Sequence, residues 1–139
     1  MILLDTNVLS ELMRPLPSVA VASWVASQAP KSLYVTSITQ AEILYGVLLL
    51  PSGRRRNAIE AAATAMFESD FAGRVLPFGR EAAPFYARIA ADRRRAGRPI
   101  AHFDAQIAAI ARAAGAAIAT RNVSDFEHCG VSLVNPWRS

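Results

Sequence analysis

The sequence has few of the features that would hold a chain together covalently or attach it to a membrane. Cys129 is the only cysteine, so an intramolecular disulfide is excluded and the 139 residues must be stabilised by a packed core. No apolar run approaches the roughly 18 residues that a membrane-spanning helix needs. The first residues also lack the basic segment of a signal peptide. We therefore expect one cytoplasmic domain over residues 1–139 without membrane association.

Lysine and glycine-rich loops are also nearly absent. Lys31 is the only lysine among 15 basic residues, and arginine presents a planar fork that suits phosphate oxygens. The net charge of +4 is compatible with nucleic-acid binding, but a solvated basic face in an arginine-rich organism would look the same. The sequence contains no glycine-rich phosphate loop of the Rossmann or P-loop type. Charge alone leaves nucleic-acid contact open.

Apolar residues, by contrast, are abundant. They make up 53% of the chain, and the mean hydropathy is positive. A monomer of this size has difficulty burying so much apolar side chain. We therefore expect a subunit or partner interface.

Apolar segments with strand and helix character alternate along the chain, with proline and glycine between them. This order predicts an α/β fold of three layers, with a central, mostly parallel sheet flanked by helices. The predicted strands cover residues 2–4, 33–36, 75–78, 117–120 and 131–134, and the predicted helices cover residues 8–13, 19–29, 37–50, 54–67, 80–96 and 100–114.

A charged residue ends the first predicted strand. Residues 2–4 are large and apolar, which indicates a strand buried on both faces, and Asp5 follows where the strand leaves the sheet. Ligands bind at the carboxyl ends of strands in open α/β sheets, so Asp5 is placed for chemistry. We expect Thr6 and Asn7 to cap the first helix and to support the site.

Two further carboxylates stand in apolar surroundings. Glu42 is the only charged residue of the third predicted helix, where it shares a stripe with Tyr45 and Leu49, and we expect it to face inward. Asp104 is the only acid of the sixth predicted helix. One buried carboxylate can be satisfied by a hydroxyl, but three together favour a shared cation. Oxygen ligands suit Mg²⁺ or Mn²⁺.

A fourth acidic group follows the fourth predicted strand. Asn122 and Asp125 leave that strand as Asp5 leaves the first, so either side chain could reach the same pocket. Asp125 could equally cap the turn. Arg121 beside them could bind a substrate phosphate or neutralise a carboxylate, and we favour the phosphate.

Four short motifs follow one another in a fixed order along the chain. They are Ile2-Leu3-Leu4-Asp5-Thr6-Asn7-Val8-Leu9-Ser10-Glu11, Ala41-Glu42-Ile43 with Tyr45-Gly46, Phe103-Asp104-Ala105-Gln106-Ile107-Ala108, and Ala119-Thr120-Arg121-Asn122 with Asp125-Phe126. This set resembles the PIN-domain ribonucleases, and most closely the VapC toxins of the FitB type. The resemblance extends from Met1 to the closing Val134-Asn135-Pro136-Trp137.

The resemblance implies an acidic pocket in which Asp5, Glu42 and Asp104 hold Mg²⁺ or Mn²⁺, and either Asp125 replaces the fourth family aspartate as a catalytic carboxylate or the second metal is weakly held. It also implies a homodimer and a small antitoxin whose tail covers a groove and whose basic side chain enters the pocket. Many PIN domains have an aspartate where this chain has Asn122. This departure leaves a fully occupied two-metal site in doubt.

The hypothesis is therefore hydrolysis of RNA by a metal-activated water, with Glu42 as a ligand or as the group that orients the water. Two arginine clusters, residues 54–56 and residues 93–95 with Arg98, are candidates for tracking the RNA backbone or are solvated helix faces. The expected protein interfaces lie at residues 19–24 and in the helix after Gly53.

Other residues give weaker signals. His102 should point away from Asp104, because residues two apart lie on different helix faces. Cys129 has no matching catalytic partner for nucleophilic chemistry. Two other functions stay open: a phosphatase that uses Asp5 as nucleophile, although Asn7 stands where its second aspartate belongs, and a PIN-like module that binds nucleic acid or protein with little or no catalysis.

Overall fold

The computed structural model describes residues 1–138, and five parallel strands form its central sheet in the order β3-β2-β1-β4-β5. β1 lies in the middle and pairs with β2 through Ile2 and Leu33 and with β4 through Leu4 and Ala119. The strands are β1 (Ile2–Leu4), β2 (Leu33–Thr36), β3 (Val75–Leu76), β4 (Ala117–Ala119) and β5 (Leu133–Val134).

Six α-helices connect and cover the strands. They are α1 (Thr6–Leu12), α2 (Val19–Ala26), α3 (Ser37–Leu48), α4 (Arg54–Ala65), α5 (Ala83–Arg95) and α6 (His102–Ala114). A π-helical turn, Met66–Asp70, extends α4. Within residues 1–138, no helix combines the length and apolarity needed to cross a bilayer.

The sheet separates two apolar layers because successive residues of a strand point to opposite faces. Leu3 of β1 and Ile118 of β4 pack with the apolar faces of α5 and α6. Their neighbours Leu4 and Ala119 pack on the other face with residues of α1 to α4. The three-layer α/β fold with a parallel sheet is therefore confirmed.

Several element boundaries differ from the sequence prediction for local reasons. α2 ends at Ala26 rather than residue 29, and a 3₁₀ turn, Pro30–Ser32, leads into β2. α5 begins at Ala83 rather than residue 80, with Pro84 in its first turn, where the missing N–H costs nothing. The N-cap of α3 is Thr36, whose hydroxyl accepts a hydrogen bond from the Thr39 amide, so Ser37 is the first helical residue.

The carboxyl ends of all five strands point to one edge of the sheet because the strands are parallel. The residues that follow β1 and β4, and the first turn of α3 after β2, therefore lie near one another. This edge is where the acidic residues of the sequence come together.

Candidate active site

An open cavity of about 530 Å³ lies at the carboxyl ends of the strands. Every side chain that the sequence singled out as a candidate site residue lines it. These residues are Asp5, Thr6, Asn7, Glu42, Asp104, Arg121, Asn122 and Asp125. Positions more than 100 residues apart in sequence thus share one pocket.

Asp5 is 6% exposed, and its carboxylate accepts three hydrogen bonds. Its Oδ1 accepts from the Thr6 amide at 2.8 Å, which makes Asp5 the N-cap of α1. Its Oδ2 accepts from the Thr120 hydroxyl at 2.7 Å and from the Asn7 amide nitrogen at 3.2 Å. These bonds fix the carboxylate at the end of β1.

The expectation that Thr6 and Asn7 cap the helix is therefore wrong. Asp5 performs that role, because its own side chain reaches the first free amide of α1. Thr6 and Asn7 are the first two helical residues, and their side chains point into the pocket. The Asn7 Oδ1 also accepts from the Arg121 amide at 3.2 Å, which ties α1 to the loop after β4.

Glu42 reaches the pocket from α3, but not along the stripe that the sequence predicted. The core face of α3 consists of Thr39, Ile43 and Val47, whereas Tyr45 and Leu49 are each 66% exposed. Glu42 is half-buried at the pocket wall, where its Oε1 accepts from the Thr6 hydroxyl at 2.8 Å. The inward face of the helix was misassigned because the apolar stripe lies on its surface.

Asp104 lies in the first turn of α6, and no described hydrogen-bond donor contacts its carboxylate. Burial and, to a smaller extent, the nearby charges of Asp5, Asp125 and Glu42 together raise the pKa of Asp104 to about 6, against the opposing charge of Arg93. The pKa of Asp5 is also raised, mainly by burial, although the hydrogen bonds from Thr120 and Thr6 oppose that shift. The four anions therefore repel one another.

The loop after β4 supplies the fourth side of the pocket. Thr120 is fully buried, and its Oγ1 donates to Asp5 and accepts from the Asn122 amide at 3.1 Å. A 3₁₀ turn, Val123–Phe126, then carries Asp125 to the pocket. Thr120 was missed as a site residue because only the folded chain shows that its hydroxyl bridges two loops 115 residues apart.

Arg121 lies on the rim of the pocket, where its charge is a minor cause of the lowered pKa of Glu11. Its guanidinium carbon stands 5.0 Å from the centroid of the Trp137 indole ring, over the ring face. Among residues 1–138, no acidic side chain forms an ion pair with Arg121. Its guanidinium remains available to an outside anion.

A second arginine in the cavity is already paired. Arg14 contacts Glu11 at 3.3 Å, and Glu11 also accepts from the Ser18 amide at 2.9 Å. The Ser18 bond holds the pKa of Glu11 below its usual value, and the charge of Arg14 adds to that shift. Glu11, Arg14 and Trp137, with Ser10, were not predicted as lining residues, although Glu11 closes the first motif.

Weaker sequence signals lead away from the pocket. His102 pairs with Tyr86 through its Nδ1 and the tyrosine hydroxyl, at 2.7 Å. Cys129 is buried, and burial raises the pKa of its thiol, which disfavours the thiolate that a nucleophile would need. These two observations agree with the expectation that His102 and Cys129 take no part in the chemistry.

The donor set of the pocket fits a hydrated divalent cation. Asp5 Oδ1 accepts a single hydrogen bond and keeps a lone pair, and the carboxylates of Asp104 and Asp125 accept none from described residues. Among residues 1–138, no three His, Cys, Asp or Glu side chains are arranged to hold a metal as they stand. The arrangement suits Mg²⁺ or Mn²⁺, which bind through one or two carboxylates and keep several waters.

Known proteins share both this sequence and this fold. The chain matches the PIN domain family over residues 2–130. It is 41% identical to the VapC ribonuclease Y4jK of Sinorhizobium fredii over 99% of this chain and 98% of the relative, and 39% identical to toxin FitB of Neisseria gonorrhoeae over 99% of each.

A solved structure shows the same fold. The crystal structure of FitAcB from Neisseria gonorrhoeae contains a chain that superposes with a TM-score of 0.94 at 39% identity, over 100% of both chains. The chain belongs to the PIN-domain family and, within it, to the VapC toxins of the FitB type. This membership implies a nuclease.

Proposed function

We propose that this protein is a metal-dependent ribonuclease toxin that hydrolyses RNA phosphodiester bonds. The observation that carries the proposal is the convergence of Asp5, Glu42, Asp104 and Asp125 on one cavity. Burial and mutual repulsion raise the pKa of Asp5 and Asp104 there, so the fold holds anions together at a cost in stability. In a PIN-family chain, carboxylates that lower the stability of the fold are better explained by a role in catalysis than by a role in structure.

The cofactor in this proposal is Mg²⁺ or Mn²⁺. Asp5 and Asp104 would hold the ion, and Glu42 would be a further ligand or would orient the attacking water. When bound, such an ion lowers the pKa of a water molecule and neutralises charge on the scissile phosphate. Asn122 stands where many family members have an aspartate, so the only additional carboxylate from this loop is Asp125.

The protein groups around the carboxylates fix their positions. Thr120 and Asn7 hold one oxygen of Asp5, and the Thr6 hydroxyl holds one oxygen of Glu42. These neutral donors orient the carboxylates without removing their charge. The substrate phosphate would therefore meet acidic groups that are already aligned.

Arg121 is the group that we propose for binding the RNA backbone. Its guanidinium forms no ion pair among the described residues, lies on the pocket rim and stands over the Trp137 ring. A stacked guanidinium keeps its N–H edge free for phosphate oxygens. Contact with one phosphate predicts that Arg121→Gln weakens binding of an uncleavable RNA and lowers the dependence of log K on log salt by about 0.7.

The proposed partners are a cognate antitoxin and a second copy of the chain, acting in the cytoplasm, with residues 1–139 as one PIN domain. Exposed apolar side chains support such interfaces: Leu48 is 53%, Tyr45 and Leu49 are each 66%, and Val19 is 81% exposed. The similarity to toxin FitB and to the FitAcB structure supports the same assignment. The expected contributions of residues 19–24 and of α4 stay predictions.

The test is RNA cleavage by the purified protein during titration with Mg²⁺ or Mn²⁺. We expect Asp5→Asn to abolish cleavage and leave the circular dichroism spectrum unchanged, whereas Asp92→Asn, an exposed acid paired with Arg95, should keep full activity. Undiminished cleavage by Asp5→Asn would reject the proposal. Binding of RNA without cleavage at any metal concentration would favour the binding module, and a covalent aspartyl phosphate would favour the phosphatase. Sequencing the ends of the cleaved RNA identifies the substrate.

A further inference from the structure

Arg93 differs from the other arginines of its cluster. The sequence placed it with Arg94, Arg95 and Arg98 as a candidate contact to RNA, but Arg93 is only 7% exposed, while the other three are exposed. The prediction that Arg93 tracks RNA is therefore wrong. A buried guanidinium needs a structural reason, because removal of its charge from water is costly.

The contacts of Arg93 supply that reason. Its Nε donates to the Arg98 carbonyl at 2.7 Å, and its Nη1 donates to the carbonyls of Asp125 and Glu127, each at 3.0 Å. Nη1 also lies 3.8 Å from the sulfur of Cys129. Within residues 1–138, Arg93 forms no ion pair with a carboxylate. Main-chain dipoles therefore satisfy its charge.

Two of these carbonyls belong to the segment that delivers Asp125 to the pocket. At the two ends of this 3₁₀ turn, the Asp125 amide donates to the Asn122 carbonyl at 3.1 Å, and the Glu127 amide reaches the Ser124 carbonyl only at 3.5 Å. His128, which follows, has a φ of 61° that is rare for a residue with a side chain. The backbone around Asp125 thus depends on tertiary contacts.

Several tertiary contacts hold this segment, among them an ion pair at 3.7 Å between Arg98 Nη1 and Glu127 Oε2 and the Cys129 thiol, which donates to the Glu127 carbonyl at 3.7 Å. The Phe126 side chain, 1% exposed, anchors it in the core on the side of α6. Arg93 holds the carbonyls on both sides of Phe126, those of Asp125 and Glu127. An apolar anchor alone allows the segment to rotate about it, whereas two directional hydrogen bonds fix its orientation.

We infer that Arg93 is a positioning residue: by binding the carbonyls of Asp125 and Glu127 it fixes the direction in which the Asp125 carboxylate enters the acidic pocket. The inference rests on the proposed function, because it gives Asp125 a part in holding the divalent cation. Arg93 does not line the pocket, and its charge also acts on Asp104, so the test must keep that charge while it removes the contacts to the two carbonyls.

A double-mutant cycle tests this dependence. The four proteins are wild type, Arg93→Lys, Asp125→Asn and the double variant, with Arg94→Lys as the control on the exposed neighbour. Lysine keeps the charge but cannot reach three carbonyls with a fixed fork. We expect Arg93→Lys to weaken Mn²⁺ affinity and to lower kcat for RNA about 10-fold with KM unchanged, as for other residues that orient a ligand.

In the Asp125→Asn background, Arg93→Lys should have no further effect on either quantity. An equal loss in both backgrounds would overturn the inference, because it would mean that Arg93 acts independently of Asp125. No loss from Arg93→Lys in the wild-type background would overturn it as well. Should Arg93→Lys fail to fold by circular dichroism, Arg93→Gln, which keeps a side-chain N–H donor, replaces it, and Asp104→Asn is then added to both backgrounds to remove the charge effect of Arg93 on Asp104.

Hydrogen exchange separates this inference from the proposed function. A wild-type protein that neither binds Mn²⁺ nor cleaves RNA would refute the proposed function, and the positioning effect would then be judged by exchange alone. Arg93→Lys should speed amide exchange in residues 123–127 at least about 10-fold relative to α6, and Arg94→Lys should not. Unchanged exchange in that segment would overturn the positioning role.

Discussion

Charge is buried in two regions of this molecule, and the two regions satisfy it differently. In the acidic pocket, five carboxylates line one cavity. Glu11 is paired with Arg14, but the other four form no ion pair among the described residues, and Asp104 accepts no hydrogen bond from them. In the Arg93 cluster, a single guanidinium donates to three carbonyls. The comparison teaches that this fold can satisfy a buried charge fully when the charge is structural. The unbalanced charge of the pocket is therefore a property that needs another explanation, and a bound cation provides it.

The largest effect that tests this comparison is on catalysis. Asp104→Asn removes one anion that the cation would bind, and we expect RNA cleavage to fall by about 10³-fold, or roughly 4 kcal/mol of transition-state stabilisation. The measurement is kcat/KM on a labelled RNA at saturating Mg²⁺. Asp92→Asn is the matched control, and a loss of less than 10-fold in Asp104→Asn would show that this carboxylate is dispensable.

The next largest effect should be a loss of folding stability when Arg93 is replaced. Arg93→Met removes the arginine donors from three carbonyls, of which only that of Glu127 keeps another donor, the Cys129 thiol, and we expect a loss of about 3–5 kcal/mol in the free energy of unfolding by urea. Arg94→Met, at the exposed neighbour, should change it by less than about 0.5 kcal/mol. Equal effects of the two substitutions would mean that the buried contacts contribute nothing.

The stability of the metal-free protein should depend on pH, because Asp104 in the acidic pocket, unlike Arg93, has no hydrogen-bond or ion-pair partner for its charge among the described residues. The pKa of Asp104 is about 6 in the folded chain against 3.8 as a reference, so the folded state binds this proton more tightly than the unfolded chain. The contribution of the protonated Asp104 to the free energy of unfolding is present below pH 4 and is lost as the pH rises through 6. We expect a loss on the order of 1–2 kcal/mol, allowing for solvent in the open pocket.

Thermal unfolding in EDTA between pH 4 and pH 7.5 measures this loss. The Asp104→Asn variant should lose less stability over the interval than wild type, and Asp92→Asn should follow wild type. Added Mn²⁺ should raise the unfolding temperature of wild type at pH 7.5. A wild-type protein that becomes more stable as the pH rises would show that the pocket anions carry no penalty.

The smallest effect should come from the hydroxyl that joins two loops. Thr120→Val keeps the shape of the side chain but removes its bonds to Asp5 and to the Asn122 amide. We expect about a 10-fold loss of kcat/KM. The control is Thr64→Val, on the exposed surface of α4, which should leave kcat/KM unchanged. Full activity in Thr120→Val would show that the remaining donors, Asn7 and Thr6, suffice to orient Asp5.

The sequence was sufficient to predict much of this arrangement. The apolar run before Asp5 identified the central strand, and the rule that parallel strands end at one edge placed Asp5, Asp125 and Arg121 together. The inward face of α3 was not predictable, because Tyr45 and Leu49 form an apolar stripe that the folded chain leaves exposed. Periodicity locates an apolar face but does not say whether the same chain covers it.

Side-chain roles that depend on distant backbone could not be predicted. Arg93 is one of three consecutive arginines, and nothing local distinguishes it from its neighbours. Its burial follows from carbonyls 32 and 34 residues further along the chain. The capping of α1 by Asp5 instead of Thr6 is a smaller case, since both residues can cap and only the backbone geometry at the end of β1 decides between them.

The central claim is that the crowded carboxylates exist to hold a divalent cation. The most direct test is a crystal grown with Mn²⁺ and measured for anomalous scattering. We predict a peak in the cavity within ligation distance of Asp5 and Asp104, and its loss in Asp5→Asn. An ordered pocket with no peak at millimolar Mn²⁺, or a peak only at surface carboxylates, would contradict the claim.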